Sequence, residues 1–285
     1  MSYLRWARPA RMALTAGLAG LTLIAGLAST AAAATPAVGI APVGQSGWLT
    51  PTVTPGASVT ETVRVANPGA TTTTYQVGGV WAGTGPTTGI GYGRVGQAPP
   101  VGVPPVNTWF GPGATVTIAP GQTALVPVTL TVPPGTAPGQ WVGGIGAQPE
   151  LTPTGTTTGT VTLVSTVEAV VAVVVTVPGP ASAQMTLGTP ALVQDWVMGT
   201  EALLPMADTG GPITAPVMDV TITSCSGGAP VYTVARQLMA TAPHTSWTYR
   251  LITGHKLPAG CYEVATSLDS GGVALAANIT AVDLA

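Results

Sequence analysis

The feature that most constrains the fold is a repeated alternation of apolar and hydroxylated residues, in short runs that proline and glycine interrupt roughly every 8–12 residues. In SVTETVRVAN, Val59, Val63 and Val65 fall on one face of an extended chain, with threonine and arginine on the other. In QTALVPVTLTV, alternate positions from 124 to 132 form a second apolar stripe, and Pro127 places that strand near a sheet edge because it lacks a ladder donor. This pattern predicts half-buried strands in an all-β sandwich.

The stretch VPVTLTVPPGTAPGQWVGGIGAQ, residues 126–148, raises the one alternative to a strand. Its GGIGA could be a phosphate-binding glycine loop, but such a loop stands between a strand and a helix whose N-terminus faces the anion. The following residues, QPELTPTGTTTGT, cannot start a helix. We therefore interpret PPGTAPG as a connection and QWVGGIGA as a strand.

The strand-forming runs fall into two sets, which predict two tandem immunoglobulin-like β-sandwich domains at 35–178 and 179–285. PGPASAQ, directly after Val177, has the composition of a linker. Residues 161–179 are apolar enough to be considered as a membrane span, but Glu168 would then be buried in lipid at high cost. A long strand buried on both faces is the better interpretation.

Residues 1–34 have the composition of a signal peptide. Arg5, Arg8 and Arg11 precede an apolar segment at 12–28, and STAAAAT offers small residues for cleavage. An uncleaved membrane anchor is the alternative, although the apolar segment is slightly shorter than a bilayer requires. We expect an exported protein of the cell envelope, the cell surface or the extracellular space.

Charged residues make up only 6% of the chain, against about 25% in ordinary soluble domains. Lys256 is the single lysine, and no basic cluster follows the first residues. Nucleic-acid binding depends on clustered lysine and arginine that displace counterions. Nucleic acid is therefore not an expected partner.

The two cysteines, Cys225 and Cys261, both lie in the last third of the chain. In an oxidising compartment a disulfide is the expected state of such a pair, and it would stabilise the fold by about 3–4 kcal/mol. Two free buried thiols are the alternative. The segments SCSGG and AGCYE lack the paired spacing of zinc ligands.

No arrangement of residues predicts catalysis, a cofactor or a metal site. A hydrolytic triad needs a histidine base, and the two histidines, His244 and His255, lie in short polar segments that look like surface turns. The ten acidic residues offer no evident pair for glycoside hydrolysis. We predict that the protein is not an enzyme.

Three segments resemble the first domain of the WxL-interacting proteins of Gram-positive cell surfaces: VANPGATTTTYQVGGVWAGTGPTTGIGYG, VTIAPGQTALVPV and LTVPPGTAPGQWVGGIGA. A weaker resemblance to that family's second domain lies in APHTSWTYRLITGHKLPAGCYEV. The resemblance covers about 40–180 and, more loosely, 180–280. The matched positions are Asn67, Thr88, Ile90, Tyr92, Pro138, Gly139, Gly143, Gly144 and Ile145.

The resemblance implies a non-enzymatic envelope protein whose first domain binds peptidoglycan and whose second binds a host or partner molecule. It also implies a surface partner that carries a Trp-x-Leu motif, which this chain itself lacks. Family members end in a membrane helix and a basic tail, whereas ANITAVDLA shows no C-terminal membrane anchor. A free exported protein, or one held by its partners, is therefore expected.

Glycan recognition uses aromatic faces, so exposed aromatic residues are the binding candidates. Tyr92 in GIGYGR and Trp109 in VNTWFGPG lie in glycine-rich connections, where ligand binding competes with ordinary loop packing. Trp81 and Trp141 fit strand patterns and are expected in the core.

The leading hypothesis is an exported protein that binds cell-wall glycan or a surface protein without catalysing a reaction. The alternative is a structural subunit or assembly chaperone of a surface layer or appendage. The near-absence of lysine supports that alternative, because edge lysines normally block strand pairing. Few carboxylates are present to titrate, so we also expect stability to change little between neutral and acidic pH.

Overall fold

A computed structural model describes residues 37–45, 47–150, 167–181 and 183–285 of the chain. The signal-peptide prediction at 1–34 and the first part of the predicted strand at 161–179 lie outside the described residues. In the part described, no helix has the length and hydropathy needed to cross a bilayer.

Within the described residues, the first sandwich contains eight strands and one turn of 3-10 helix, Val106–Trp109. The strands are β1 (Gly39–Pro42), β2 (Ser58–Ala66), β3 (Thr73–Thr84), β4 (Ile90–Tyr92), β5 (Ala114–Ile118), β6 (Thr123–Thr131), β7 (Gly139–Pro149) and β8 (Ala169–Val177). One sheet has the order β1-β2-β6. The other has the order β4-β3-β7-β8, with β5 also paired to β3.

The predicted apolar stripes form the core between these two sheets. Val63 and Val65 of β2 and Val126 of β6 are buried there, and β6 is an edge strand as Pro127 predicts. On the far side of the sandwich, the segment around Leu49 runs parallel to β8 and covers part of its edge. Period-two alternation therefore identifies both the strands and their buried faces.

The GGIGA segment is a buried part of β7, which confirms the strand interpretation. Its glycines allow close packing on both faces of the sheet. A Cβ on Gly144 would lie 2.7 Å from Cγ1 of Val170 on the neighbouring strand, and one on Gly143 would lie 2.8 Å from Cγ1 of Val106. Neighbouring side chains occupy the space at both positions, so these glycines serve close packing within the sandwich.

The second sandwich contains β9 (Gln184–Leu187), β10 (Ala191–Asp195), β11 (Gly199–Gly210), β12 (Val217–Ser224), β13 (Tyr232–Gln237), β14 (Thr245–Ile252), β15 (Gly260–Ser270) and β16 (Val273–Leu284). One sheet has the order β10-β11-β14, with β9 also paired to β11, and the other has the order β13-β12-β15-β16. A separate core, from Met185 to Leu284, lies between them. The chain is therefore all-β, with two tandem immunoglobulin-like sandwiches.

The predicted disulfide joins Cys225, just after β12, to Cys261 at the start of β15. The backbone N–H of Cys225 also donates to the carbonyl of Cys261, at 3.0 Å. The disulfide thus links two strands that already pair within one sheet, which confirms the expectation of an oxidised pair and excludes the free-thiol alternative in this structure.

Candidate functional site

The two sandwiches contact each other through a network of hydrogen bonds. The Oγ1 of Thr84, at the end of β3, accepts from the N–H of Ala242 at 2.9 Å and lies 2.8 Å from the Oγ1 of Thr245. The Oγ1 of Thr88 accepts from the N–H of Met239 at 2.8 Å. These bonds fix β3 and the loop after it against the second sandwich.

An aromatic cluster extends this junction. The rings of Trp141 and His244 stack with centroids 3.7 Å apart, and the Trp109 ring lies tilted against Trp141 with centroids 5.3 Å apart. His244 adopts a left-handed φ of 63°, and its partial burial lowers the pKa of the imidazole. His244 lies in a turn as predicted, but the prediction of a surface residue is wrong, because packing between the two domains, which a local segment does not reveal, partly buries it.

The predicted binding residues Tyr92 and Trp109 do not form a shared aromatic face. Trp109 is only 7% exposed and belongs to the first core, so it presents no open ring to a ligand. Tyr92 lies at the end of β4 with a partly exposed ring, and burial raises the pKa of its phenol. Ligand binding by Tyr92 stays a prediction. Glycan binding as a whole keeps the support of the family resemblance alone.

One buried carboxylate lies close to the aromatic cluster. Asp208 of β11 accepts hydrogen bonds from the hydroxyl of Thr241 at 2.9 Å and from the N–H of Gly210 at 3.2 Å. Desolvation raises its pKa to about 6, although these hydrogen bonds favour the ionised form. A Cβ on Gly210 would lie 2.8 Å from the His244 ring, so the carboxylate and the imidazole occupy neighbouring positions. Across the described ranges, no group of three or more His, Cys, Asp or Glu side chains could hold a metal ion.

The first sandwich blocks the edges of its smaller sheet. Val43 donates its N–H to the carbonyl of Thr62. The backbone N–H and C=O groups of even-numbered β2 residues therefore point to β1, and those of odd-numbered residues point to β6. By the same register, Pro127 of β6 and Pro42 of β1 direct their backbone outward, where a proline offers no donor. The N–H of Gly111 covers a further position by donating to Thr129.

In the second sandwich, the edge strand β14 is covered by the first sandwich. The N–H of Ser246 donates to the carbonyl of Gly102 at 3.0 Å, and that of Arg250 donates to the carbonyl of Pro86 at 3.4 Å. The N–H of Thr253 donates to Thr200 of β11, so odd-numbered residues of β14 direct their backbone groups to β11. The even-numbered Ser246 and Arg250 therefore point away from that strand. The junction therefore closes a sheet edge as well as joining two domains.

The opposite sheet of the second sandwich ends in an open edge, which we call the β16 edge. The backbone N–H of Cys225 donates to the carbonyl of Cys261. The backbone N–H and C=O groups of odd-numbered β15 residues therefore point to β12, and those of even-numbered residues point to β16. The register then directs the N–H and C=O groups of β16 outward at alternate positions. These positions are Ala277, Ile279, Ala281 and Asp283.

The β16 edge has little protection within the described chain: Asn278 donates from its side chain to the carbonyl of Gly188 at 3.1 Å, and one β-bulge interrupts the ladder to β15 near Leu268. Beyond the ladder to β15, no backbone hydrogen bond between described residues reaches the outward positions. The strand is twelve residues long, contains no proline, lysine or arginine, and exposes 72% of Ile279. Long edges with little charge and no proline can act as templates for pairing with another strand, and β16 carries a single charge, that of Asp283. The sequence indicates this only in general, through its missing lysines, because edge position depends on the sheet order.

No protein-family model matches the sequence, and no curated protein matches it either. Solved structures similar to this chain include the E. coli chaperone DraB, at 14% identity and a TM-score of 0.37, covering 87% of this chain and 98% of that one. A chaperone–tip adhesin complex of CFA/I fimbriae biogenesis gives 12% identity, a TM-score of 0.37, and 86% and 98% coverage. The CsuC–CsuE chaperone–tip adhesion subunit complex of Acinetobacter baumannii gives 10% identity and a TM-score of 0.37. The match covers 87% of this chain and 99% of that one.

Proposed function

We propose that this protein is a non-catalytic assembly module of the cell envelope that binds another protein by adding the partner's strand to the β16 edge. The observation that carries the proposal is the contrast between edges of the same chain. Outward-facing prolines at Pro42 and Pro127 block two edges and the first sandwich covers a third, whereas the outward backbone groups of β16 make no backbone hydrogen bond to another described residue.

The chemistry of the edge defines the partner segment. Ala277 and Ala281 flank Ile279 with small side chains, so a partner backbone can approach closely. Asp283 is the one charged group among the outward positions. Main-chain hydrogen bonds would supply affinity and the exposed side chains would supply specificity. The fitting partner is an extended, uncharged segment rich in β-branched residues, within a larger envelope protein.

Binding of short peptides to residues 35–285, one compact unit that holds both cores, tests this proposal. The probes are twelve-residue peptides of alternating valine and threonine, and matched peptides with lysine at every second position. We expect the uncharged peptides to bind and the lysine peptides to fail, because lysine places charge against an apolar edge.

The variant that separates edge pairing from other binding is Ala281→Pro. Its N–H points outward, so proline removes a donor for the partner and leaves the ladder to β15 intact. Val231→Lys, at an exposed residue away from β16, is the control for a surface substitution outside this edge. The proposal is overturned if no uncharged peptide binds, or if Ala281→Pro binds as well as the control does.

Light scattering of the free protein shows whether a second copy of this chain is itself the partner. A molecular mass that rises with protein concentration, and that is lower in Ala281→Pro, identifies such self-association.

Membership of the WxL-interacting family and binding of peptidoglycan remain predictions of the sequence resemblance. Retention on purified cell-wall sacculi tests the glycan prediction independently, because Ala281→Pro should leave such retention unchanged. A chain retained on sacculi no better than an unrelated β-sandwich would contradict it.

A further inference from the structure

The hairpin that joins β10 to β11 ends in three consecutive large apolar residues, here called the hairpin tip. Trp196 is 87% exposed, Val197 64% and Met198 47%. Asp195 pairs with Gly199 across the base of this three-residue loop, and Gly199 takes the left-handed φ of 88° that closes such loops. Apolar residues that surround an exposed turn in this way mark an interaction surface.

The backbone of the hairpin tip is already hydrogen-bonded without water. The Oδ1 of Asp195 accepts from the N–H groups of Val197 at 2.8 Å and Met198 at 2.7 Å. These two bonds lower the pKa of Asp195, which therefore stays ionised and keeps the loop rigid at neutral pH. Because two donors of the loop are satisfied internally, the tip can leave water at a smaller cost than an ordinary turn.

The charged residues at the base of the tip include two acidic and two basic groups, and the nearest is Asp195, whose carboxylate is turned onto the backbone of the loop. Arg250 of β14 forms an ion pair at 2.6 Å with Glu201 of β11, one of the two hairpin strands. Lys256 follows His255, whose carbonyl accepts from the N–H of Thr200 just after the hairpin loop. Asp195 and Glu201 balance the charges of Arg250 and Lys256, so a surface that the apolar tip enters need not carry net charge, and the neutral headgroups of a phosphatidylcholine bilayer meet that condition.

We propose that the hairpin tip inserts into the surface of a phospholipid bilayer, with Trp196 at the boundary between headgroups and acyl chains. The tip is convex and apolar on all three residues, which suits a fluid surface that can close around it. Tryptophan is also enriched at this depth of membranes. This surface is separate from the β16 edge, so the inference goes beyond the function proposed above.

Sedimentation of residues 35–285 with vesicles tests the inference. The vesicles contain phosphatidylcholine alone or phosphatidylcholine with phosphatidylglycerol. We expect binding to both, and a loss of roughly tenfold or more when Trp196, Val197 and Met198 are all replaced by serine. Trp48→Ser is the matched control, since Trp48 is also exposed but lies in the first sandwich, and it should bind as the wild type does.

Two further measurements keep the result independent of folding defects. The triple serine variant should unfold at the same urea concentration as the wild type, because its side chains are exposed. Brominated lipid should quench tryptophan fluorescence in the wild type and quench less in Trp196→Phe, which retains binding. Failure of the wild type to bind either vesicle, or full binding by the triple variant, would overturn the inference and leave the β16 proposal standing.

Discussion

The imidazole of His244 stacks on the indole of Trp141 at 3.7 Å, with the two planes 11° apart, and so joins a loop of the second sandwich to β7 of the first. Trp109 packs on the same indole from within the first core. The three rings therefore connect the core of the first sandwich to a loop of the second. Protonation of the His244 ring should consequently change the stability of the contact between the two domains.

Replacing His244 with asparagine should remove this sensitivity. Asparagine tolerates the left-handed backbone at this position, and losing the stack should lower the free energy of unfolding by about 1 kcal/mol at pH 8. The lowered pKa of His244 means that the unfolded chain takes up a proton that the folded chain resists, so wild-type stability should fall as pH drops through about 6.5. Urea unfolding between pH 5 and 8 measures both effects. His255→Asn, at an exposed position, is the control and should change neither.

Replacing Asp208 with asparagine should act in the opposite sense. The folded pKa of about 6 exceeds the ordinary value of 3.8, so the folded state binds a proton more tightly and wild-type stability should decline as pH rises from about 4 to 6. Asp208→Asn should abolish that decline and raise the free energy of unfolding at pH 7 by about 2–3 kcal/mol. Asp219→Asn, at an exposed carboxylate of β12, provides the comparison. Equal stability of Asp208→Asn and wild type at pH 7 would contradict the expected cost of ionisation.

Reducing the disulfide should destabilise the second sandwich. Cys225 and Cys261 are 36 residues apart, and closing a loop of that length stabilises by about 3–4 kcal/mol in the chain-entropy account. The urea midpoint should therefore fall in dithiothreitol, and the double variant Cys225→Ala with Cys261→Ala should match the reduced wild type. An unchanged midpoint after confirmed reduction would show that the paired strands alone hold this region.

Replacing Gly144 with alanine should strain the centre of the first sandwich. The added Cβ would meet Val170 at 2.7 Å and the carbonyl of Val171 at 3.0 Å, and such overpacking costs about 1–3 kcal/mol. Gly91→Ala is a suitable control, because its nearest neighbour would be 4.0 Å away and its backbone needs no left-handed φ. A Gly144→Ala protein as stable as the control would mean that β7 and β8 can separate at no cost.

Local patterns predict much of this fold because strands record their burial at every second residue. The stripe of β6, the edge position of Pro127 and the strand at GGIGA all follow from alternation and turn chemistry within a few residues. The environments of His244 and Trp109 could not be predicted in this way. Each depends on contacts between segments far apart in the chain, which no local period encodes.

The open edge shows the same limit. The register that directs Ala281 outward is local to β15 and β16, but the fact that no further strand lies beside it depends on the order of the whole sheet. Missing lysines indicate that some edge is unprotected, and the sheet order and register identify β16 as such an edge. The expected weak dependence of stability on pH stays a prediction, now refined by two opposing groups, His244 and Asp208.

The carbonyls of Gly102 and Pro86 occupy donors on the free side of β14. Loss of the first sandwich would expose the free backbone groups of β14. That edge could then pair with strands of other molecules. A second sandwich moved into another protein without the first would therefore carry an exposed edge strand that promotes aggregation. Such a constraint favours inheritance of the two sandwiches as an inseparable pair.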